Sequence, residues 1–97
     1  MFIISTENQN EAQLVALLSF EVDGFSLVPC RGYFAGELEN CIQIHFADTT
    51  LDRKTKDVLR KDGAVRIANL IADEFDQTEV LVVEVPSSTT IVSRFKN

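Results

Sequence analysis

The chain has little of what most protein chemistry is built from: two cysteines, one histidine, four glycines and two prolines among 97 residues. Cys30 and Cys41 are too few for a disulfide scaffold and lack the paired spacing of a zinc site, so two free thiols are expected. His45 falls in a strand-like stretch with no acid fixed beside it by spacing, which argues against a general base. The glycines form no phosphate-binding loop, Ser87-Ser88 forms no nucleophile elbow, and no acidic run has the oxygen ligands and central glycine of a calcium loop. Neither enzymatic activity nor a metal or cofactor is therefore expected. No apolar run approaches the roughly 20 residues that span a bilayer, and the amino-terminal residues lack a charged region followed by an apolar signal segment. A cytosolic protein with no membrane partner is the expectation.

What is present is enough for a core. The hydrophobic fraction of 45% suits a folded chain, and the length suits one domain over residues 1–97. The net charge of −6 is unevenly spread. Leu51 to Arg66 carries six bases and three acids, whereas the other 81 residues carry twelve acids and three bases. Such a surface repels nucleic acid over most of its extent and attracts basic partners.

Met1 to Ser5 reads as a strand, and Asn8 or Asn10 as the cap of a helix over Glu11 to Phe20 with Leu14, Leu17 and Leu18 on one stripe. Phe25 to Phe46 reads as a hairpin turning at Ala35-Gly36, so that paired residue numbers sum to 71. Phe25, Leu27, Pro29, Arg31 and Tyr33 then share a mostly core face with Leu38, Asn40, Ile42, Ile44 and Phe46. Glu37 and Glu39 point outward from the other face, and Cys30 lies opposite Cys41. Pro29 cannot donate to a ladder, which marks its strand as an edge or a bulge.

Leu51 to Asp62 reads as a polar helical segment capped at Asp48 to Thr50, with Gly63 as a kink or cap before an apolar helix. In that helix Val65, Ala68, Ala72 and Phe75 recur on one face beside Ile67 and Ile71. Glu79 to Val85 is a strand, Pro86 to Thr89 a turn, and Thr90 to Phe95 a last strand. The expected fold is α+β, a mostly antiparallel sheet of four to five strands with two helices on one face, and its leading specific form is ferredoxin-like. The bases from Arg53 to Lys61 are interrupted by acids and lack interleaved aromatics, so they read as a solvated helix face rather than a nucleic-acid patch.

The acids carry the functional reading. Asp73, Glu74 and Asp76 crowd a helix carboxyl end, where the dipole disfavours them by about 0.3 to 1 kcal/mol each. Glu37 and Glu39 project from one strand face about 6.6 Å apart, compatible with the charge spacing of a nucleic-acid strand. With Glu79, and with Glu21 and Asp23 in the exit turn of the first helix, they form a candidate partner-binding set of phosphate surrogates. Ordinary solubilising surface is the competing explanation.

Two resemblances bear on this set. Tyr33 with Gly36-Glu37-Leu38-Glu39, followed by Gln77-Thr78-Glu79-Val80-Leu81, resembles a pattern in small phage-encoded proteins, with one extra residue between Tyr33 and the glycine. Length, acidity and layout are similar to the small anti-CRISPR proteins of mobile elements, in particular inhibitors of type I-F systems. That resemblance implies a non-catalytic inhibitor in the host cytoplasm that mimics duplex DNA. Its partner would be the basic groove of the crRNA-guided surveillance complex (Cascade), with no direct nucleic-acid contact. A small phage-encoded adaptor or homo-oligomer, pairing through a hydrophobic sheet edge and kept soluble by its acids, is the alternative.

Overall fold

The computed structural model describes residues 1–7 and 10–86. The strand expected at Thr90 to Phe95, most of the turn before it, and Asn8 lie outside the described residues. In order the elements are β1 (Phe2–Glu7), α1 (Glu11–Ser19), β2 (Ser26–Phe34), β3 (Glu37–Phe46), β4 (Leu51–Asp52), β5 (Asp57–Val58), α2 (Lys61–Glu74) and β6 (Leu81–Glu84).

Four strands form one antiparallel sheet in the order β2-β3-β1-β6, while β4 and β5 make a separate two-stranded ribbon. The fold is α+β, and its strand order and directions are those of the ferredoxin-like arrangement, with the ribbon placed between β3 and α2. Alternation decides which face is buried. Leu27, Ile44, Ile4 and Val82 form one row across all four strands, and Thr6, Ile42 and Phe46 lie on the same face. Leu14 and Leu18 of α1 and Ile67 and Ile71 of α2 close over that face in a single cluster. Each fully buried aliphatic side chain contributes about 1.5 to 3 kcal/mol.

Local chemistry sets the element ends. Asn10 caps α1, its side-chain oxygen accepting from the Gln13 amide at 3.2 Å. The β2–β3 hairpin turns at Ala35-Gly36 with φ of 50° and 85°, as a two-residue primed turn requires, and every pair sums to 71. The α2 face that is buried comprises Ala64, Ile67, Ala68 and Ile71, whereas Val65, expected inward, is 41% exposed.

Leu51 to Arg60 is not a helix; of the expected polar segment only Lys61 and Asp62 are helical, as the start of α2. Three apolar side chains give it too little to bury, and its polar side chains bond to nearby amides instead. Asp52 accepts from the Lys54 amide at 2.9 Å, Thr55 from that of Asp57 at 3.3 Å, and Asp57 from that of Val58 at 2.7 Å. Lys56, at φ 60°, completes the ribbon's turn. Gly63 is neither kink nor cap but lies in the first turn of α2, where a Cβ would stand 2.9 Å from both Asp52 Oδ2 and Leu59 Cδ1. Its missing side chain lets α2 seat against the ribbon.

Candidate functional site

The register divides the sheet into two ends. β1 finishes at Glu7, paired with Cys41, and β6 begins at Leu81, paired with Ser5. The end of β1, the start of α1, the carboxyl end of α2 and the β2–β3 turn therefore lie at one end, the tip end. The ribbon, the exit of α1 and the start of α2 lie at the other.

The carboxylates follow this division. Glu37 and Glu39 on the hairpin, Asp73 and Glu74 in the last turn of α2, and Asp76 and Glu79 in the loop after it all belong to the tip end, and all are exposed. Glu7 and Glu11, which sequence reasoning did not single out, join them. Among the described residues the tip end holds eight carboxylates and one base, Arg31. The ribbon end holds seven carboxylates and six side-chain bases, with the Met1 amino group bonded to Asp48 at 2.6 Å. One end is strongly negative and the other nearly balanced. The signal that sequence reading lacked was the antiparallel pairing of β1, which carries Glu7 and Glu11 to the acids of α2.

The loop carrying Asp76 and Glu79 is fixed in place. The Gln77 amide closes α2 by donating to Ala72 at 2.9 Å. The Gln77 side-chain oxygen accepts from Thr6 Oγ1 at 2.7 Å and from the Glu7 amide at 3.3 Å, tying the loop to the end of β1. Asp76 holds φ 50°, a left-handed conformation more easily met by glycine. An acid there meets both a backbone penalty and an unfavourable helix dipole.

Glu21 and Asp23 do not belong to this site. Glu21 is 7% exposed and pairs with Arg66 Nη1, with Lys54 Nζ at 3.8 Å. Arg66 Nη2 also reaches Asp52 Oδ1 and Oδ2 at 3.2 and 3.1 Å, and Asp52 is 3% exposed. Burial lowers the pKa of the Arg66 guanidinium, but hydrogen bonds and charge from Glu21 and Asp52 outweigh it and hold the pKa above its ordinary value. Asp23 Oδ1 accepts from the Leu51 amide at 2.8 Å. These two acids lock the exit of α1 to the ribbon. Lys54, from the segment read as a solvated basic helix face, thus pairs with Glu21 beyond it, and Arg66 of α2 joins Glu21 to Asp52.

Two further expectations are corrected. Cys30 and Cys41 form a disulfide across directly paired positions, with Cα atoms 4.8 Å apart, instead of two free thiols. Tyr33 and Leu38, placed on the mostly core face by alternation, are 73% and 62% exposed because the hairpin extends beyond the layer that would cover them. His45 bonds through Nε2 to Gln43 Oε1 at 3.1 Å on the sheet face opposite the helices. It lies about 24 Å along β3 from the residue paired with Tyr33.

No protein-family model, curated protein or solved structure matches the chain significantly. Among the described residues no helix is long and apolar enough to cross a membrane.

Proposed function

We propose that this chain is a non-catalytic inhibitor of a type I-F crRNA-guided surveillance complex, and that the carboxylates of its tip end occupy the basic groove where target duplex DNA is recognised. The observation that supports this most is the segregation of charge. Among the described residues, eight exposed carboxylates and a single base share one end, while the six side-chain bases at the other nearly balance its seven acids. A fixed negative surface of this kind competes with phosphates for Lys and Arg, steers encounter, and weakens as salt screens it. The host cytoplasm is where the inhibitor would act. The experiment is a titration of the protein into purified type I-F complex with labelled target duplex, read by fluorescence anisotropy. Displacement of the duplex near stoichiometry is expected, and duplex binding unchanged at large excess refutes the reading.

A second reading is favoured by one observation. β6 is an edge strand among the described residues, with Leu81 62% and Val83 39% exposed beside a groove of about 430 Å³ that Ala72 and Leu81 help to line. A small adaptor or homo-oligomer pairing along that edge would use main-chain hydrogen bonds. Light scattering after gel filtration at low and high salt separates the two, since a salt-insensitive dimer supports pairing and a monomer supports inhibition.

A further inference from the structure

The β2–β3 hairpin outruns its sheet. The last pair that β3 makes with β1 is Cys41 with Glu7, yet its pairing with β2 continues to Glu37. At about 3.4 Å per residue, four steps carry the ribbon roughly 14 Å past the point where the third strand drops out. Residues 35–40 are all exposed. A two-stranded ribbon without a third strand is marginal in water, and here the Cys30–Cys41 disulfide lies at the row where the third strand ends. The covalent bond thus holds an arm that adds almost nothing to the core.

The arm is two-sided. Tyr33 and Leu38 are direct cross-strand partners on one face, both more than 60% exposed, whereas Glu37 and Glu39 lie on the other. Arg31 shares the Tyr33 face, two residues nearer the disulfide. Single exposed apolar residues such as Phe20 need no explanation. An adjacent aromatic and aliphatic pair on a clamped projection differs, because such pairs held in one geometry make the anchors of protein interfaces.

Resting on the inhibitor reading above, we propose that the arm is a pre-organised docking element. Its Tyr33–Leu38 pair enters an apolar pocket on the protein partner, and Glu37 and Glu39 meet Lys or Arg along the pocket's border. Charge selects this occupant. The tip end, with eight carboxylates and one base among the described residues, repels nucleic acid and anionic lipid, whereas a basic protein surface complements it. The anchor also divides the affinity into two parts, an apolar one that salt leaves alone and an ionic one that salt removes. The clamp lowers the entropy lost when the arm is ordered on binding.

The test measures binding of wild type, Tyr33→Ala, Leu38→Ala and the double variant Glu37→Gln/Glu39→Gln to purified type I-F surveillance complex at about 0.1 M and about 0.5 M NaCl. Each truncation is expected to weaken binding about 30-fold or more, and by the same factor at both salts. The neutralised double variant is expected to lose affinity only at the lower salt. Thermal unfolding of the truncations should stay within a few degrees of wild type, because neither side chain is buried. If wild type binds and both truncations bind within about threefold of it, or if their loss vanishes at high salt, the anchor is overturned while the inhibitor reading stands. If wild type does not bind the complex at all, both fall together.

Discussion

Replacing Arg66 with methionine tests the division between acids that hold the fold and acids available to a partner. Methionine keeps much of the side chain's length but removes the guanidinium that bonds both Glu21 and Asp52, whose side chains are 10% and 4% exposed. Leaving a buried charge without its partner costs about 3 to 5 kcal/mol. Arg66 itself is 31% exposed, so solvent screening argues for the lower end, about 3 kcal/mol. At about 4 to 8 °C per kcal/mol for a domain of this size, the midpoint should fall by roughly 12 to 24 °C. Thermal melts followed by circular dichroism, with urea unfolding for the free energy, provide the measurement. Adding Glu21→Gln and Asp52→Asn to Arg66→Met should recover part of the loss, since the orphaned charges are then gone. The sign with pH also follows. A raised arginine pKa contributes stability that is fully present below the unfolded-state value and is lost only as pH rises through the folded one. From pH 6 to 10 the arginine's contribution should therefore not shrink. A loss below about 1 kcal/mol would refute the network as a fold-holding element and return Glu21 to the candidate binding set.

Three other perturbations probe separate parts of the molecule. Gly63→Ala places a Cβ 2.9 Å from Asp52 Oδ2 and Leu59 Cδ1, and should destabilise by about 1 to 3 kcal/mol despite alanine's better helix propensity; a more stable variant in urea unfolding would show that the α2–ribbon contact yields easily. Asp76→Asn keeps a residue that tolerates φ 50° but removes an acid from the helix carboxyl end. It should stabilise by about 0.3 to 1 kcal/mol and at the same time weaken duplex competition, a trade between stability and function. Cys30→Ser with Cys41→Ser opens a loop of 11 residues' separation and should cost up to about 3 kcal/mol. Faster hydrogen exchange should be confined to residues 31–40, and equal protection in the two proteins would show that the clamp is dispensable.

Alternation made the sheet readable, because a period of two fixes both the face and, with the Ala35-Gly36 turn, the register of β2 on β3. The same rule fails for Tyr33 and Leu38. Alternation states which way a side chain points and is silent on whether a neighbouring strand or helix reaches that far. Charge spacing alone makes Leu51 to Arg60 resemble a solvated helix, while the deciding bonds are those that the side chains of Asp52, Thr55 and Asp57 accept from nearby amides. The hairpin register puts Cys30 opposite Cys41, whereas the expectation of free thiols rests on the compartment and not on that proximity. Of the candidate acids, the six on the hairpin, α2 and its loop come to one end through the topology. Glu21 looked like its neighbours in the chain, and its partner Arg66 lies 45 residues away, beyond the reach of local pattern.

The most direct measurement of the central claim is displacement of labelled target duplex from purified type I-F surveillance complex by wild type and by a variant with Glu37, Glu39, Asp73 and Glu79 changed to Lys. It would be made at about 0.1 M and about 0.5 M NaCl, on either side of effective screening at these distances. Wild type should displace duplex near stoichiometry at the lower salt and at least about tenfold less effectively at the higher, while the charge-reversed protein, folded by its melt, should displace none. Equal displacement by both proteins, or displacement indifferent to salt, would contradict the claim that carboxylates at the tip end stand in for phosphates.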